Sequence, residues 1–129
     1  MILETSVIID FLRNDLKTVS KIQDLRNQNI PLQITTPSIF ELWSGASSIE
    51  KSDKKTAELK VFIQEQVVIP LDIESAEKSG KINGFLIKKG LKIQLVDCMI
   101  AGMAIKYNLP LLTKDSDFDR IEGLKIEKY

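Results

Sequence analysis

The sequence predicts a three-layer α/β/α fold, with helices on both faces of a central, mostly parallel sheet of four or five strands. Short apolar runs of strand length alternate with amphipathic helical segments along the chain, and this order is typical of parallel sheets. The sequence contains no internal repeat, low-complexity tract or linker. Of its 129 residues 43% are apolar, enough for one ordinary core. We therefore expect one domain over residues 1–129.

Composition excludes several classes of function. The chain has no histidine, which rules out nucleophile–histidine catalysis and histidine metal sites. Its 18 basic and 18 acidic residues cancel, so an extended surface that coats nucleic acid is disfavoured. The single cysteine, Cys98, forms no internal disulfide and indicates a reducing, cytoplasmic location. No apolar run approaches the ~20 residues of a membrane span, and the first residues lack the pattern of a signal peptide.

The individual elements follow from hydrophobic periodicity, which is two residues in strands and 3.6 in helices. The predicted strands are short and mostly apolar, and they cover residues 2–4, 32–34, 67–70, 109–113 and an edge strand over 123–129. The predicted helices carry apolar residues three and four positions apart. They run from Thr5 or Ser6 to about 14, over 16–29, from 36 to 49, from Ser52 or Asp53 to 63, from Asp72 or Ser75 to 89, and from 96 to 107.

Local signals refine this reading. Thr36 is the expected N-cap of its helix, with Pro37 at the first helical position. Asn108 is the expected cap at the end of the helix over 96–107. Gly80 and Gly84 suggest a close approach to a neighbouring element. Apolar residues expected to face inward include Trp43, Phe62, Ala76, Ile82 and Phe85.

Five carboxylates fall where predicted strands end and helices begin. They are Glu4, Glu41, Asp97, Asp115 and Asp117. The carboxyl ends of parallel strands lie on one rim of the sheet, where ligands bind, so we expect these acids to converge. Taken singly, each has a simpler explanation as a solvated turn or helix acid.

Asp97 is the most unusual of the five. It shares a helical face with Ile100, Ala101 and Ala104, so it is expected to point toward the sheet. The simpler alternative is an acid at a helix N-terminus, stabilised by the helix dipole by roughly 0.3–1 kcal/mol. That alternative weakens because Asp115 and Asp117 are expected at the same rim.

Converging carboxylates need protons or a hard cation. Two of them ~4 Å apart repel by roughly 4 kcal/mol at an effective dielectric constant of 20. Oxygen ligands alone suit Mg²⁺ or Mn²⁺. Such an ion activates water and stabilises charge at a phosphate, so the acids favour metal-assisted phosphodiester hydrolysis.

Four blocks of the sequence resemble the PIN-domain ribonucleases, and among these the VapC-type toxins of VapBC toxin–antitoxin pairs. The blocks are MILETSVIIDFL at 1–12, TPSIFELWSGA at 36–46, VDCMIAGMA at 96–104 and LLTKDSDF at 111–118. Together they cover nearly the whole chain in the family's order. The sequence departs from the family at Glu4, where the family normally has aspartate.

The resemblance implies a PIN-like domain that binds Mg²⁺ or Mn²⁺ and cuts RNA endonucleolytically. It also implies dimerisation and inhibition by a cognate antitoxin protein, with no membrane association. Glu4, Glu41, Asp97, Asp115 and Asp117 are the implied catalytic and metal-binding residues. The closing block is one residue shorter than in many relatives, which leaves the choice between Asp115 and Asp117 as direct ligand open. The hydroxyls expected to orient these groups belong to Thr5, Ser6 and Thr113.

Two alternatives remain at this stage. A catalytically weak or inactive PIN-like binding module is favoured by the substitution at Glu4. A phospho-acceptor signalling domain would use Asp72 and Thr113, but it needs adjacent acids after the first strand, and only Glu4 stands there.

Two surface functions are also predicted. RNA phosphates are assigned to lysine groups, although a solvated helix face explains each group equally well; the groups are Lys51, Lys54 and Lys55, and Lys88, Lys89 and Lys92. The helix over 16–29 and the helix from Ser52 are the expected surface of a two-fold dimer.

Overall fold

The computed structural model describes residues 1–50 and 53–129. Within them, five two-residue strands pair in parallel: β1 (Ile2–Leu3), β2 (Ile34–Thr35), β3 (Val68–Ile69), β4 (Leu111–Leu112) and β5 (Ile126–Glu127). Their spatial order is β3–β2–β1–β4–β5, and a bridge between Ile2 and Gln33 joins β2 to β1. The predicted parallel sheet is confirmed, with β5 at an edge.

The helices of the described residues also follow the predicted order. They are α1 (Thr5–Leu12), α2 (Leu16–Asn27), α3 (Thr36–Ser47), α4 (Asp53–Gln64), α5 (Ile73–Lys88) and α6 (Leu95–Lys106). A 3₁₀ helix at Ser116–Arg120 replaces the loop that was expected there. The alternative start of α4 at Ser52 lies outside the described residues. No helix of the described ranges is long and apolar enough to cross a membrane.

Side chains of neighbouring strand residues point to opposite faces of the sheet, and this alternation creates two cores. Leu3 and Leu112 face α1 to α4, and they pack with Val7, Ile8, Ile22, Leu25, Leu42 and Leu59. Ile2 and Leu111 face α5 and α6, and they pack with Leu86, Ile100, Ala101, Ala104 and Phe118. Helices therefore cover both faces, which is the expected three-layer arrangement.

Two helix caps lie earlier in the sequence than expected, because each strand leads directly into its helix. Glu4, rather than Thr5 or Ser6, caps α1, and its Oε1 accepts a hydrogen bond from the Ser6 N–H at 2.9 Å. Thr35, rather than Thr36, caps α3, and its Oγ1 accepts from the Ser38 N–H at 3.2 Å. These caps place Glu4 at the end of β1 and Thr35 at the end of β2.

The helix ends include a correct prediction at Asn108. This residue follows α6 with φ of 53°, in the left-handed region that asparagine tolerates better than most residues. Its N–H donates to the carbonyl oxygen of Ile105 at 3.1 Å. The chain then turns into β4, which carries Asp115 to the rim.

The close approach between helices is at Gly102 of α6, not at Gly80 or Gly84. A Cβ built on Gly102 would meet the Ser79 side chain and would lie 2.8 Å from the Ser79 backbone nitrogen, whereas Gly80 and Gly84 have nothing within 4 Å. Phe85 is 44% exposed, contrary to the prediction that it faces inward. Phe85 follows Ile82 by three residues, so the helical period puts both on one stripe, but Phe85 lies at the margin of the buried part.

The same correction applies to Ala76, which is exposed on α5. Trp43 and Phe62 pack against the core between the sheet and α1 to α4, as predicted.

A candidate acidic active site

The ends of β1 and β4, the second turn of α3 and the first turn of α6 bring the five predicted acids toward one rim. Asp97 lies in the first turn of α6 and is 9% exposed. Burial and then repulsion from the other four acids raise the pKa of Asp97 to about 7; these acids are, in decreasing order, Glu4, Glu41, Asp115 and Asp117. Each of the other four carboxylates thus lies near enough to Asp97 to disfavour its charged form.

Asp97 also lacks a compensating contact within the described residues. No hydrogen-bond donor or cation in residues 1–50 and 53–129 contacts its carboxylate, while Ile100, Ala101 and Ala104 of the same face are buried in the core. A buried carboxylate without a partner favours its neutral form or a cation. This is the property that the sequence predicted for Asp97.

Glu4 is buried more deeply than its position in a turn suggested, at 5% exposure. Its side chain folds back onto the first turn of α1, where Oε1 accepts from the Ser6 N–H and Oε2 accepts from the Ser6 hydroxyl. Burial raises the pKa of Glu4, the two Ser6 contacts oppose that rise, and repulsion from Glu41 and Asp115 adds to it. Ser6 therefore holds Glu4 in place, as the sequence predicted for a nearby hydroxyl.

Glu41 is held by a short series of buried hydroxyls. Thr5 Oγ1 donates to Glu41 Oε1 at 2.6 Å and lies 3.1 Å from Ser38 Oγ. Ser38 Oγ in turn lies 3.1 Å from Thr35 Oγ1. Thr5 was predicted to orient an acid, whereas Ser38 was not among the hydroxyls predicted to do so. The pattern TTPS at 35–38, with two hydroxyls three residues apart around a helix start, was the signal that pointed to Ser38.

Asp115 and Asp117 have different surroundings. Asp115 caps the 3₁₀ helix, its Oδ1 accepting from the Asp117 N–H at 2.8 Å, and its own N–H donates to Thr113 Oγ1 at 3.0 Å. Asp117 forms an ion pair with Arg120 at 3.1 Å. Asp115 raises the pKa of Asp97 more than Asp117 does, and Asp117 has a cation of its own in Arg120. Asp115 is therefore better placed than Asp117 to be a direct metal ligand.

The basic residues around the rim have acidic partners. Lys114 pairs with Asp10 of α1 and lies 5.6 Å from the ring centroid of Tyr129. Of the predicted RNA-binding lysines, Lys54, Lys55, Lys88, Lys89 and Lys92 are exposed; Lys51 lies outside the described residues. Sequence reasoning did not identify Asp10 or Arg120 as neighbours of the acidic loop.

The carboxylates at the rim are the chemical type of ligand that a hard divalent cation prefers, but their present positions are not those of a metal site. Carboxylate oxygens are the preferred ligands of Mg²⁺ and Mn²⁺, and the raised pKa of Asp97 marks the excess of negative charge. In the described ranges, no three His, Cys, Asp or Glu side chains are arranged so that they would already hold a metal ion. Ser6, Thr5 and Arg120 each contact one of these carboxylates.

Asp72, the residue that suggested a phospho-acceptor domain, has a structural partner. It caps α5 through the Ser75 N–H at 2.9 Å and pairs with Lys106 of α6. The contact with Lys106 and the Ser75 N–H hold the pKa of Asp72 well below its usual range. An acid engaged in this way is a poor nucleophile toward a phosphoryl donor.

Comparison with known proteins shows which family the chain is similar to. The family model described as PIN domain matches residues 1–124. The tRNA(fMet)-specific endonuclease VapC of Shigella flexneri is 27% identical over 98% of this chain and 96% of its own. The Ribonuclease VapC of Rickettsia bellii is 30% identical over 98% of this chain and 93% of its own.

Solved structures of VapBC proteins have the same fold as this chain. VapBC2 from Rickettsia felis, bound to a DNA fragment from its promoter, has a TM-score of 0.87 and 25% identity, covering 99% of this chain and 97% of its own. DNA-bound VapBC from Salmonella typhimurium has a TM-score of 0.87 and 26% identity, covering 98% and 96%.

Proposed function

The chain belongs to the VapC ribonucleases of the PIN domain family, and from this premise we propose that it is a metal-dependent endoribonuclease and the toxin of a type II toxin–antitoxin pair. The substrate is RNA, and the bond cut is a phosphodiester. The observation that carries the proposal is the repulsion of Asp97 by Glu4, Glu41, Asp115 and Asp117. Such a concentration of buried negative charge serves a cation-dependent reaction at a phosphate.

The proposed cofactor is Mg²⁺ or Mn²⁺, held by Glu4, Asp97 and Asp115, with Glu41 and Asp117 next to them. A bound ion of this kind supplies an activated water and stabilises charge at the phosphate. Asp97, whose pKa burial and the neighbouring acids raise to about 7, would hold such a cation in its deprotonated form.

The hydroxyls around these acids act as positioning groups. Ser6 holds Glu4 through two contacts and Thr5 holds Glu41 through one, so the carboxylates do not turn away from the rim. Thr113 fixes the backbone at Asp115. In proteins, such outer contacts typically contribute about 10–100-fold in metal affinity or activity.

The proposed protein partner is a cognate antitoxin that docks on α4. A surface cavity of about 410 Å³ lies there, lined by Ala57, Val61 and Phe62 with Glu58 and Glu65. An apolar floor with two acids suits the apolar face of a helix that carries basic residues. The solved relatives are VapBC complexes, which supports a partner of this kind.

We also propose a homodimer through α5. Its exposed isoleucines, Ile73 at 89% and Ile87 at 64% exposure, lie seven residues before and seven residues after Gly80. A two-fold axis at Gly80 would place each Ile73 against Ile87 of the partner subunit, as a self-complementary interface requires. The first half of α5 is acidic and its second half basic, so antiparallel copies also match in charge. The sequence alone favoured α2 and α4, but α5 has the required symmetry.

The proposal includes a single domain over 1–129 and a cytoplasmic location, which the lone buried thiol of Cys98 supports. The competing proposal is a PIN-like module that binds partners without cutting RNA, and the specific observation in its favour is Glu4 at a position where the resemblance implies aspartate.

One experiment tests the activity. The protein is incubated with RNA and either Mn²⁺ or Mg²⁺, and metal binding is followed by calorimetry. Asp97→Asn keeps the size and removes the charge, so we expect metal affinity and cleavage to fall by more than the ~10–100-fold typical of outer contacts. Asp24→Asn, the same change at an exposed position of α2, is the matched control. Unchanged cleavage in Asp97→Asn would refute the site, and no cleavage by the parent with either metal would favour the binding module.

A further inference from the structure

A second cavity lies beside the acidic rim, between α5 and the segment that follows the 3₁₀ helix. It has a volume of about 220 Å³, and its lining combines an apolar floor with charged side chains; the residues are Ile82, Phe85, Leu86 and Ile121, with Lys81, Arg120 and Glu122. This volume is below the ~300–1,000 Å³ of sites for drug-sized ligands. The cavity is therefore the right size for one small planar group rather than for a helix.

The wall formed by α5 has a regular pattern of charge and aromaticity. Lys81, Phe85 and Lys89 lie four residues apart, so they share one face of the helix. The Lys89 Nζ lies 4.6 Å from the centroid of the Phe85 ring, and Phe85 is 44% exposed. Lys81 has only an exposed ion pair with Glu77 at 3.0 Å, a contact weak enough to exchange for another anion. An exposed aromatic ring close to cationic side chains suits a base and its phosphates in a single-stranded nucleic acid.

Arg120 connects this cavity to the acidic site. Its guanidinium lines the cavity, pairs with Asp117 at 3.1 Å and donates to the carbonyl oxygen of Lys92 at 3.3 Å. A ligand in the cavity therefore lies one side chain away from the carboxylates of the rim. A polymer that crosses the rim can therefore extend past Arg120 into this cavity.

We propose that the cavity is a seat for one unpaired nucleotide of the RNA strand, with the base against Phe85 and the flanking phosphates on Lys81 and Lys89. This inference rests on the proposed function and gives it a substrate subsite. It requires the RNA to be unpaired near the cut, because a base inside a duplex cannot reach an aromatic ring. It also selects Lys89 from the group Lys88, Lys89 and Lys92 as the lysine that contacts phosphate at this seat.

The test measures binding of a fluorescent single-stranded RNA of about twelve nucleotides by anisotropy, in EDTA so that cleavage is blocked. Phe85→Leu keeps an apolar side chain at a partly exposed position, and we expect it to weaken binding about five-fold or more. Phe85→Tyr restores the ring and should restore affinity. Lys81→Gln combined with Lys89→Gln should lower the salt dependence by about 0.7 per lost phosphate contact. Lys17→Gln, an exposed lysine of α2, should change neither.

A second measurement locates the base. RNA carrying 5-iodouridine is irradiated on the parent protein, and mass spectrometry should find the crosslink on the peptide that contains Phe85. Parent-like affinity of Phe85→Leu, or a crosslink elsewhere only, overturns the seat. The parent's cleavage of RNA with Mn²⁺ is scored separately. Cleavage together with unaffected binding by the variants overturns the seat and leaves the nuclease, whereas binding at Phe85 without cleavage supports the seat and removes the nuclease.

Discussion

The hydroxyl of Thr5 donates a hydrogen bond to Oε1 of Glu41 over 2.6 Å, and this contact joins the first turn of α1 to α3 across the rim. Thr5 is 4% exposed, so water does not replace the bond if it is lost. The first residue of α1 thus fixes a carboxylate that is 36 positions away in the sequence. The acids are held by their neighbours before any cation arrives.

Thr5→Val tests this positioning role, since valine has the same shape without the hydroxyl. We expect cleavage to fall about 10–100-fold, as is typical when an outer contact to a ligand is removed. The loss should be smaller in Thr5→Ser, which keeps a hydroxyl. The measurement is RNA cleavage with increasing Mn²⁺, together with thermal unfolding. Equal losses in Thr5→Ser and Thr5→Val would contradict the role of the hydroxyl.

The pH dependence of stability is set partly by Asp97. Burial and the neighbouring acids raise its pKa from 3.8 to about 7. Between these values the folded, metal-free chain keeps a proton that the unfolded chain has lost, so the free energy of unfolding decreases as pH rises. The raised pKa of Glu4 acts in the same direction. We therefore expect metal-free protein to melt at a lower temperature at pH 8 than at pH 5.5.

Asp97→Asn should reduce this slope and, at pH 8, raise the free energy of unfolding by about 1–3 kcal/mol, given ~1.4 kcal/mol per pKa unit and partial solvent screening. Thermal melts in EDTA over this pH range provide the measurement. A slope equal to that of the parent would show that Asp97 is ionised in the folded chain without cost.

The sequence predicted the parallel sheet and the acids at its rim because both depend on local patterns, namely apolar periodicity and the order of strand, acid and helix. It did not predict the contact between Gly102 and Ser79, because a glycine in a helix does not reveal which of its neighbours approaches. It misplaced the cap of α1 for a related reason. Glutamate rarely caps a helix, and only the fold shows that the Glu4 side chain turns back to Ser6.

Gly102→Ala tests the packing of α5 on α6. The added methyl group would lie 2.8 Å from the backbone nitrogen of Ser79, which cannot move without shifting α5. We expect destabilisation by about 1–3 kcal/mol from overpacking, measured by urea unfolding. Gly45→Ala is the control, because nothing lies within 4 Å of its added Cβ, and helix propensity should stabilise it by up to ~1 kcal/mol. A neutral Gly102→Ala would mean that the two helices separate at little cost.

The dimer proposal predicts different results for two exposed apolar residues. Ile87→Glu on α5 places a charge against Ile73 of the partner subunit in the proposed interface, so it should convert dimer to monomer in light scattering at about tens of micromolar. Val61→Glu on α4 should leave the dimer intact and weaken antitoxin binding. A parent protein that is monomeric at this concentration would remove the dimer. Dissociation by Val61→Glu alone would move the interface to α4.

Glu4 provides the sharpest test of the acidic site, because it stands at a position where the resemblance to the family implies aspartate. Its side chain is one methylene longer than that of aspartate. Its carboxylate oxygens already accept hydrogen bonds from the N–H and hydroxyl of Ser6. Coordination therefore requires the side chain to leave or share these contacts, and Mg²⁺ demands near-ideal geometry at roughly 2.0–2.1 Å.

We expect a working site that is more active with Mn²⁺ than with Mg²⁺. Glu4→Asp should match or exceed the parent in cleavage rate and reduce this metal preference, whereas Glu4→Gln keeps the cap's shape, loses the charge and should lose most activity. If Glu4→Gln cuts RNA as fast as the parent, Glu4 only caps α1, and the metal is held by Asp97 and the remaining acids.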